Sequence, residues 1–387
     1  MLDAVGNLKR WLTHTYLAGS AEATRRALHG RSGTRSFDNV VVVAALARRN
    51  GITRGARLQA DALRAAGYDT QLLDATPALR NPLFRAHHRP GTVYIIHNDG
   101  LQTANLISSV LPYVADSYRI AYWAWELPDP PFDWTGCDRV INEIWTPSTF
   151  SRDSLALLTR RPIHVVPHYI AAKPARRGAP GDPFTVLAMA DTRSSLARKN
   201  PTGAVEAFRR AFGTSSSARL LLKLSGRDAD LAAFEAASGE TLRGGNIEII
   251  KGHVDEAGLE ALYRRSDVLL SLHRAEGFGL PMLEAMSHGV PAIATGWSGN
   301  VDFMNAQNSF LVPYRLVPVV DPAGIYRNST WAEPDLDAAA CMLRSLAENT
   351  GLRARLAAAA HRAVTDAIPR FPIEAAYPST QLEASAA

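Results

Sequence analysis

The sequence predicts an α/β protein of two doubly wound domains, each a parallel sheet packed between helices, facing one another across a cleft. Three observations predict it. Short β-branched apolar runs recur along the chain, six before residue 170 and six after residue 183. Most are continuous rather than alternating, the pattern of strands buried on both faces of a parallel sheet. Helical stretches separate many of them, and strand–helix alternation marks doubly wound layers. Between the two sets, Ala171–Pro183 (AAKPARRGAPGDP) is rich in Pro, Gly, Ala and Arg and has no apolar period, as suits a linker. A chain of 387 residues has room for two domains at about 150 residues each. Domains joined in this way leave a cleft, where ligands usually sit.

In chain order, residues 1–35 form an N-terminal extension. Leu2, Val5, Leu8, Leu12 and Tyr16 recur there at helical spacing, beside Lys9 and Arg10. Such a basic amphipathic helix suits a membrane surface, and equally suits packing on its own domain or a partner. The first sheet domain, residues 36–170, carries strands over Asn39–Ala45, Tyr68–Leu73, Thr92–His97, Arg119–Ala124, Glu143–Thr146 and Ile163–Val166, with a helix over Arg54–Ala66. After the linker, 171–183, the second domain spans residues 184–350. Its strands are Phe184–Ala190, Ala218–Leu224, Asn246–Ile250, Asp267–Leu272, Val290–Ala294 and Ser309–Val312. Helices over Pro201–Phe212, Glu256–Ser266 and Pro281–His288 lie between them. Residues 351–387 give an Ala/Arg-rich helix, Gly351–Ile368, and a Pro-containing tail.

Composition narrows the class. A hydrophobic share of 47% with 20% charged residues excludes a disordered chain. No run approaches the roughly 18–20 consecutive apolar residues of a membrane-spanning helix, and Lys9 and Arg10 interrupt any secretory h-region. Two cysteines, Cys137 and Cys341, cannot build a disulfide framework or a four-cysteine zinc site, which fits a cytoplasmic protein. The net charge of +5 is mild and suits anionic partners without implying nucleic acid.

Chemistry concentrates in Asp267–Asp302, DVLLSLHRAEGFGLPMLEAMSHGVPAIATGWSGNVD. A strand ends, the turn Glu276–Gly279 follows, and Pro281 sits near the start of a helix, where its missing N–H costs nothing. Gly289 ends that helix in the C′ role. A second turn, Gly296–Gly299, follows the next strand. Glycines at strand-to-helix turns let an anion approach backbone N–H groups, and the helix dipole favours it. Glu284, eight residues after Glu276, is expected in the helix's first turn, where the dipole alone explains a carboxylate. Glu276, at the end of a buried strand, has no such explanation. Carboxylates projecting into a cleft make bidentate hydrogen bonds to vicinal hydroxyls, so a phosphate cradle beside them suggests a nucleotide sugar.

EGFGLPMLEAM resembles the E-x7-E signature of the retaining family 4 glycosyltransferases, of bacterial polysaccharide (group 1) type. These have the GT-B fold of two facing Rossmann-like domains. ARKNPTGAVEAF (Ala197–Phe208) resembles that family's basic phosphate-binding segment, and GHVDEAGLEALYRRSDVLLSL resembles its approach to the signature. YWAWELPDPP, EIWTPSTFSRDSL and WAEPDLDAAA resemble bacterial members that build surface polysaccharides. The resemblance implies that Glu276 binds the donor sugar's hydroxyls, with the Gly277–Phe278–Gly279 backbone close to sugar and diphosphate. It implies that Glu284 holds the ribose and that Lys199 neutralises the β-phosphate. Arg193 has the spacing of a second cation, a role Arg198 could take after a small shift. The base would lie near His253 and Val254. Gly51, in Asn50–Gly55 (NGITRG), looks like a glycine loop facing the diphosphate.

One departure concerns a His that many members carry after an N-domain strand. The matching stretch, Tyr122–Glu126, has none. Glu126 is its nearest carboxylate and would contact the sugar, accept the acceptor's proton, or serve as a structural hydrogen-bond partner; His97 and Asp99 are alternatives. The resemblance implies metal-free transfer of a hexose, with GDP-mannose the leading donor and other GDP- or UDP-sugars next. The acceptor would be a glycan or lipid-linked glycan, reached in the cytoplasm or at the inner face of the membrane. No cofactor or metal is expected. Asp228-Ala229-Asp230 spells a D-x-D triplet that helix capping explains, and no P-loop or G-x-G-x-x-G exists. A non-catalytic GT-B-like subunit that binds a nucleotide sugar or a partner is the alternative, with a GT-B epimerase or phosphorylase behind it.

Overall fold

The computed structural model describes residues 19, 22–48, 50–79, 81, 83–174, 182–367, 369, 371 and 372. The amphipathic stripe from Leu2 to Tyr16 and the middle of the expected linker lie outside them. The chain divides into two compact units: unit 1 is residues 1–125, 130–169 and 368–387, and unit 2 is residues 126–129 and 170–367.

Unit 1 is built on six parallel strands: β1 (Val40–Ala44), β2 (Thr70–Asp74), β3 (Val93–His97), β4 (Tyr118–Tyr122), β5 (Glu143–Thr146) and β6 (Ile163–Val165). Their order is β2-β1-β3-β4-β5-β6. The register sets Val43 opposite Ile96 and Ile96 opposite Ala121. Strands β1 and β3 are buried on both faces, which is why their runs are unbroken apolar ones. One face packs Val41, Val43, Tyr94, Ile96 and Trp123 into a core, and the other packs Val40, Val42, Ile95 and Trp145. Full burial of each such side chain contributes about 1.5–3 kcal/mol. Helices α1 (Gly51–Ala65), α2 (Gly100–Ser108) and α3 (Thr149–Ala156) follow β1, β3 and β5. The NGITRG stretch is therefore not a loop. Asn50 Oδ1 accepts the Thr53 N–H at 3.0 Å and starts α1 at Gly51, three residues before the expected helix, as an Asn N-cap does.

Unit 2 repeats the plan with β7 (Phe184–Asp191), β8 (Ala218–Ser225), β9 (Ile247–Lys251), β10 (Val268–Ser271), β11 (Ala292–Thr295) and β12 (Phe310–Val312), all parallel in the order β12-β11-β10-β7-β8-β9. Helices α4 (Leu196–Lys199), α5 (Pro201–Phe212), α6 (Asp228–Ser238), α7 (Glu256–Arg264), α8 (Leu280–Ser287), α9 (Leu336–Glu348) and α10 (Thr350–Thr365) complete it. Val186, Leu220, Leu222, Phe208 and Leu343 share its core.

Three features depart from the sequence reading. An antiparallel hairpin, β13 (Tyr314–Pro318) with β14 (Thr330–Pro334), stands apart from both sheets. Helix α10 is no separate appendage: Leu356 enters the unit 2 core, while Phe371 beyond it stacks on Trp145 of unit 1 at 6.0 Å. Residues 126–129, numbered with the first domain, group with unit 2. Asp129 there accepts a 2.6 Å hydrogen bond from the Ser329 hydroxyl at the start of β14.

Candidate functional site

Strand order locates the site in unit 2. The chain runs outward from β7 through β8 and β9 on one side and through β10, β11 and β12 on the other. Ligands of open parallel sheets bind outside the carboxyl ends of the strands at this point of reversal. The loop after β7 carries Lys199 and the loop after β10 carries Glu276, so the two residues singled out by sequence flank the switch point.

Local backbone fixes both. Ser195 and Asn200 bracket α4, each at positive φ, 61° and 50°. Ser195 Oγ accepts the Arg198 N–H at 3.2 Å, and Asn200 Oδ1 accepts the Gly203 N–H at 3.1 Å, capping α5 ahead of Pro201. Asn200 also donates to the Leu272 carbonyl at 2.9 Å, tying this segment to the end of β10. Asn tolerates the left-handed region better than most residues because its side chain bonds locally. On the other side, the Glu276 N–H donates to Ser298 Oγ and the Glu276 carbonyl accepts the Gly299 N–H, both at 2.9 Å. A Cβ on Gly299 would stand 2.3 Å from the Gly277 carbonyl oxygen. Gly299 thus serves close backbone packing, and its N–H is spent inside the fold rather than on the expected phosphate cradle. Gly279, at φ 106°, is the N-cap of α8.

These turns bring four charges together. Lys199 Nζ donates to Glu276 Oε1. Arg198 Nη1 stands 3.4 Å from Glu276 Oε2, and Arg198 Nη2 stands 3.7 Å from Glu126 Oε1. The Arg198 side chain is 3% exposed; it also donates to the Ala275 carbonyl at 2.7 Å and lies under the Tyr326 ring, 5.5 Å from its centroid. Burial alone would raise the Glu276 carboxyl, but the Lys199 and Arg198 charges outweigh it and bring it down to about 2. Burial lowers the Lys199 ammonium and Arg198 lowers it further, with Glu276 pulling the other way. Burial pushes the Tyr326 phenol well up, so it remains a donor. Two carboxylates and two cations leave the cluster near neutrality.

The other sequence candidates sort around this centre. Glu284 is buried but lies in the second turn of α8, four residues after Leu280, so the first-turn dipole does not account for it. The buried Tyr263 donates to its Oε2 at 3.0 Å. Gly277 and Phe278 form the buried turn between Glu276 and α8. His253 is exposed and Val254 half-buried, between β9 and α7. Arg193 is turned to Asp191 in a bidentate pair, 2.9 and 2.6 Å, and Arg198 is the cation beside Glu276. The D-x-D triplet caps nothing through its side chains: Arg227 is the N-cap of α6, and Asp230 pairs with it at 2.8 Å from the first turn. Among the described residues no group of three or more His, Cys, Asp or Glu is placed to hold a metal ion.

In unit 1, Gly51 opens α1 and is exposed. His97 is buried at the end of β3, with Nε2 2.5 Å from Gln59 Oε1 and its ring stacked on Tyr122 at 4.3 Å. Burial, with His168 nearby, keeps it neutral; it is a packed core histidine. Asp99 caps α2 through the Gln102 N–H at 2.8 Å. Arg198, which the sequence offered only as a substitute for Arg193, is the one of the two that reaches Glu276. The Asn-Pro pair at 200–201 is the local signal that marks the 198–199 turn.

A model of family 4 glycosyltransferases in conflict systems matches residues 150–366. None of the curated proteins matches the chain in sequence. Solved structures share the fold. HepE of Anabaena, in complex with UDP and glucose, superposes with a TM-score of 0.60 at 11% identity, covering 85% of this chain and 95% of that one. WaaG, a glycosyltransferase involved in lipopolysaccharide biosynthesis, gives 0.55 at 13%, covering 87% and 98%. TarM of S. aureus, in complex with UDP, gives 0.53 at 13%, covering 71% of this chain. The chain spans about half the length of TarM, 52%. Among the described residues no helix is long and apolar enough to cross a membrane.

Proposed function

The chain belongs to the family 4 glycosyltransferases in conflict systems, and from that premise we propose that it is a retaining, metal-independent hexosyltransferase. It moves a hexose from a UDP- or GDP-sugar to a glycan or lipid-linked glycan. The observation that carries this reading is the convergence of Lys199, Arg198, Glu276 and Glu126 at the switch point of the unit 2 sheet. UDP in the similar HepE and TarM structures favours a uridine donor over the GDP-mannose expected from sequence, with mannose retained as one candidate hexose.

Departure of the nucleoside diphosphate develops negative charge on the β-phosphate. Lys199 meets it after leaving Glu276, and the α8 N-terminus adds its dipole. Together they supply the positive charge that other transferases take from a divalent cation. Glu276, released from Lys199 but still beside Arg198, accepts from the sugar hydroxyls. Glu284, oriented by Tyr263, accepts from the ribose. Arg193 is available to the distal phosphate once it leaves Asp191, and the base lies along His253 and Val254. As the C1–O bond to phosphate breaks, the sugar becomes positively charged and Glu126 faces it. The acceptor hydroxyl attacks from the leaving-group side, and its proton passes to the departing phosphate oxygen.

The test is release of nucleoside diphosphate from UDP-glucose, UDP-N-acetylglucosamine, GDP-mannose and dTDP-rhamnose, with lipid extract as acceptor. Release that survives EDTA and falls at least 100-fold in Glu276→Ala supports the reading. Donor binding without release from any of them would make the chain a nucleotide-sugar-binding subunit instead.

A further inference from the structure

Resting on that reading, we propose that Ser298, in the turn after β11, is the positioning residue for Glu276 and does this from a strained backbone conformation that suits glycine. Ser298 stands at φ 76°, ψ −152°, a region that is almost exclusively glycine's. Such an outlier persists only where its surroundings fix it from several sides, and here they do. Strands β10 and β11 pair directly, so the segment after β10 and the turn after β11 lie side by side. Thr295 Oγ1 donates to the His273 carbonyl at 2.6 Å, and Asn300 Nδ2 donates to the Thr295 carbonyl at 3.0 Å. That bond leaves Asn300 Oδ1 as an acceptor, and His273 Nε2 meets it at 3.1 Å. His273, Thr295 and Asn300 are fully buried. The turn is therefore tied on both sides of Ser298 to the segment that carries Glu276.

What the strained turn secures is the backbone of Glu276. The Glu276 N–H donates to Ser298 Oγ, and the Glu276 carbonyl accepts the Gly299 N–H, each at 2.9 Å. Two consecutive residues of one turn thus fix the peptide groups on either side of the Glu276 Cα. The direction in which its side chain leaves the chain is set without help from its ionic partners. This matters at the moment when Lys199 leaves Glu276 for the β-phosphate. A carboxylate steered by the ion pair alone would then reorient. One aimed from the backbone keeps its place and meets the sugar hydroxyls already organised. Glycine at 298 would adopt the turn freely but would offer the Glu276 N–H no side-chain acceptor, whereas serine supplies one with a single added group. Ser298 acts through Glu276 and is a positioning residue.

The test removes the hydroxyl with and without relaxing the backbone. Ser298→Gly and Ser298→Ala both delete the acceptor, and only glycine is at ease at this φ. The glycine variant is expected to melt about 3–6 °C above the alanine variant. Both are nevertheless expected to lose about tenfold in kcat, with donor KM within about threefold, on whichever donor of the panel above is turned over. In a Glu276→Gln background, adding Ser298→Gly is expected to cost no further activity, because the hydroxyl works through that one carboxylate. A serine that serves the fold alone gives the opposite pattern, with activity following melting temperature and falling again in the double variant. A Ser298→Gly enzyme with kcat within about twofold of wild type would overturn the proposal. So would a double variant about tenfold slower than Glu276→Gln alone, or glycine and alanine variants that melt together. If wild-type protein turns over no donor, the function reading fails and takes this proposal with it; wild-type turnover left intact by Ser298→Gly removes this proposal alone.

Discussion

A carboxylate held between a buried and a half-buried cation has a measurable consequence at the scale of one residue. The Glu276 carboxyl, ordinarily at 4.5, is lowered to about 2 because Lys199 and Arg198 outweigh its burial. A carboxyl lowered on folding stabilises the protein above its unfolded value and loses that contribution as pH falls through the folded one. The window is therefore from about pH 5 down to about pH 2. Unfolding by urea at stepped pH should show the wild type losing about 2–3 kcal/mol more than Glu276→Gln across that window, since 1 pH unit corresponds to about 1.4 kcal/mol. Parallel curves would mean that Glu276 is not the group held down by the cations. Glu276 was legible from its place in a glycine turn at the end of a buried strand, and Lys199 only through the resemblance of Ala197–Phe208 to a basic phosphate-binding segment. Arg198 was legible only as an alternative to Arg193. Both are arginines in one short basic stretch, and only the tertiary path of Ser195–Asn200 turns one inward and the other onto Asp191.

Elements whose residues are buried on both faces announced themselves, and all twelve sheet strands lie where the apolar runs stood. The hairpin did not. Tyr314, Leu316 and Pro318 of β13 are exposed, at 41% and 55% for the first two, so the strand carries neither an apolar run nor a solvent-facing polar alternation. The connecting loop was equally silent, because its order comes from one side chain reaching four partners. That dependence makes Asp321 the place to break the element. Asp321→Ala strands three backbone N–H groups and the Ser195 hydroxyl, at about 1–3 kcal/mol for each group left buried without a partner and less where water replaces it. Hydrogen exchange should accelerate through residues 319–329, together with residues 126–129, while the twelve sheet strands keep their protection. Protection unchanged in 319–329 would show that the loop is held by something other than Asp321. Helix α8 shows the opposite case, an end written locally. Gly289, at φ 65°, and Val290 donate to Met286 and Ala285 at 3.0 and 2.9 Å, a Schellman closure that glycine alone suggested.

At the scale of the whole molecule, each unit owns its core, and the last described residues belong to the first. Phe371 stacks on Trp145 and meets Tyr68 and Tyr169 edge-on, at 6.4 and 6.3 Å, after α10 has already closed unit 2. Sequence could not reveal this return, because one aromatic in a Pro-containing tail has no period to read. Separate cores predict separate responses to perturbation. UDP engages residues of unit 2 in the reading above, so at 100 times its dissociation constant it should stabilise that unit by about 2.7 kcal/mol. Phe371→Ala removes a half-buried ring from unit 1, a loss of about 2 kcal/mol, below the roughly 3–5 kcal/mol of a fully buried Phe. At about 2–4 °C per kcal/mol for units of this size, calorimetry should resolve two transitions. UDP should raise one by about 5–11 °C, and Phe371→Ala should lower the other by about 4–8 °C. Five tryptophans of unit 1, Trp11, Trp123, Trp125, Trp134 and Trp145, against Trp297 and Trp331 of unit 2, let fluorescence assign the transitions through single Trp-to-Phe replacements. A single transition that both perturbations move together would show that the two cores melt as one, and would place Phe371 in the stability of the donor site as well as of its own sheet.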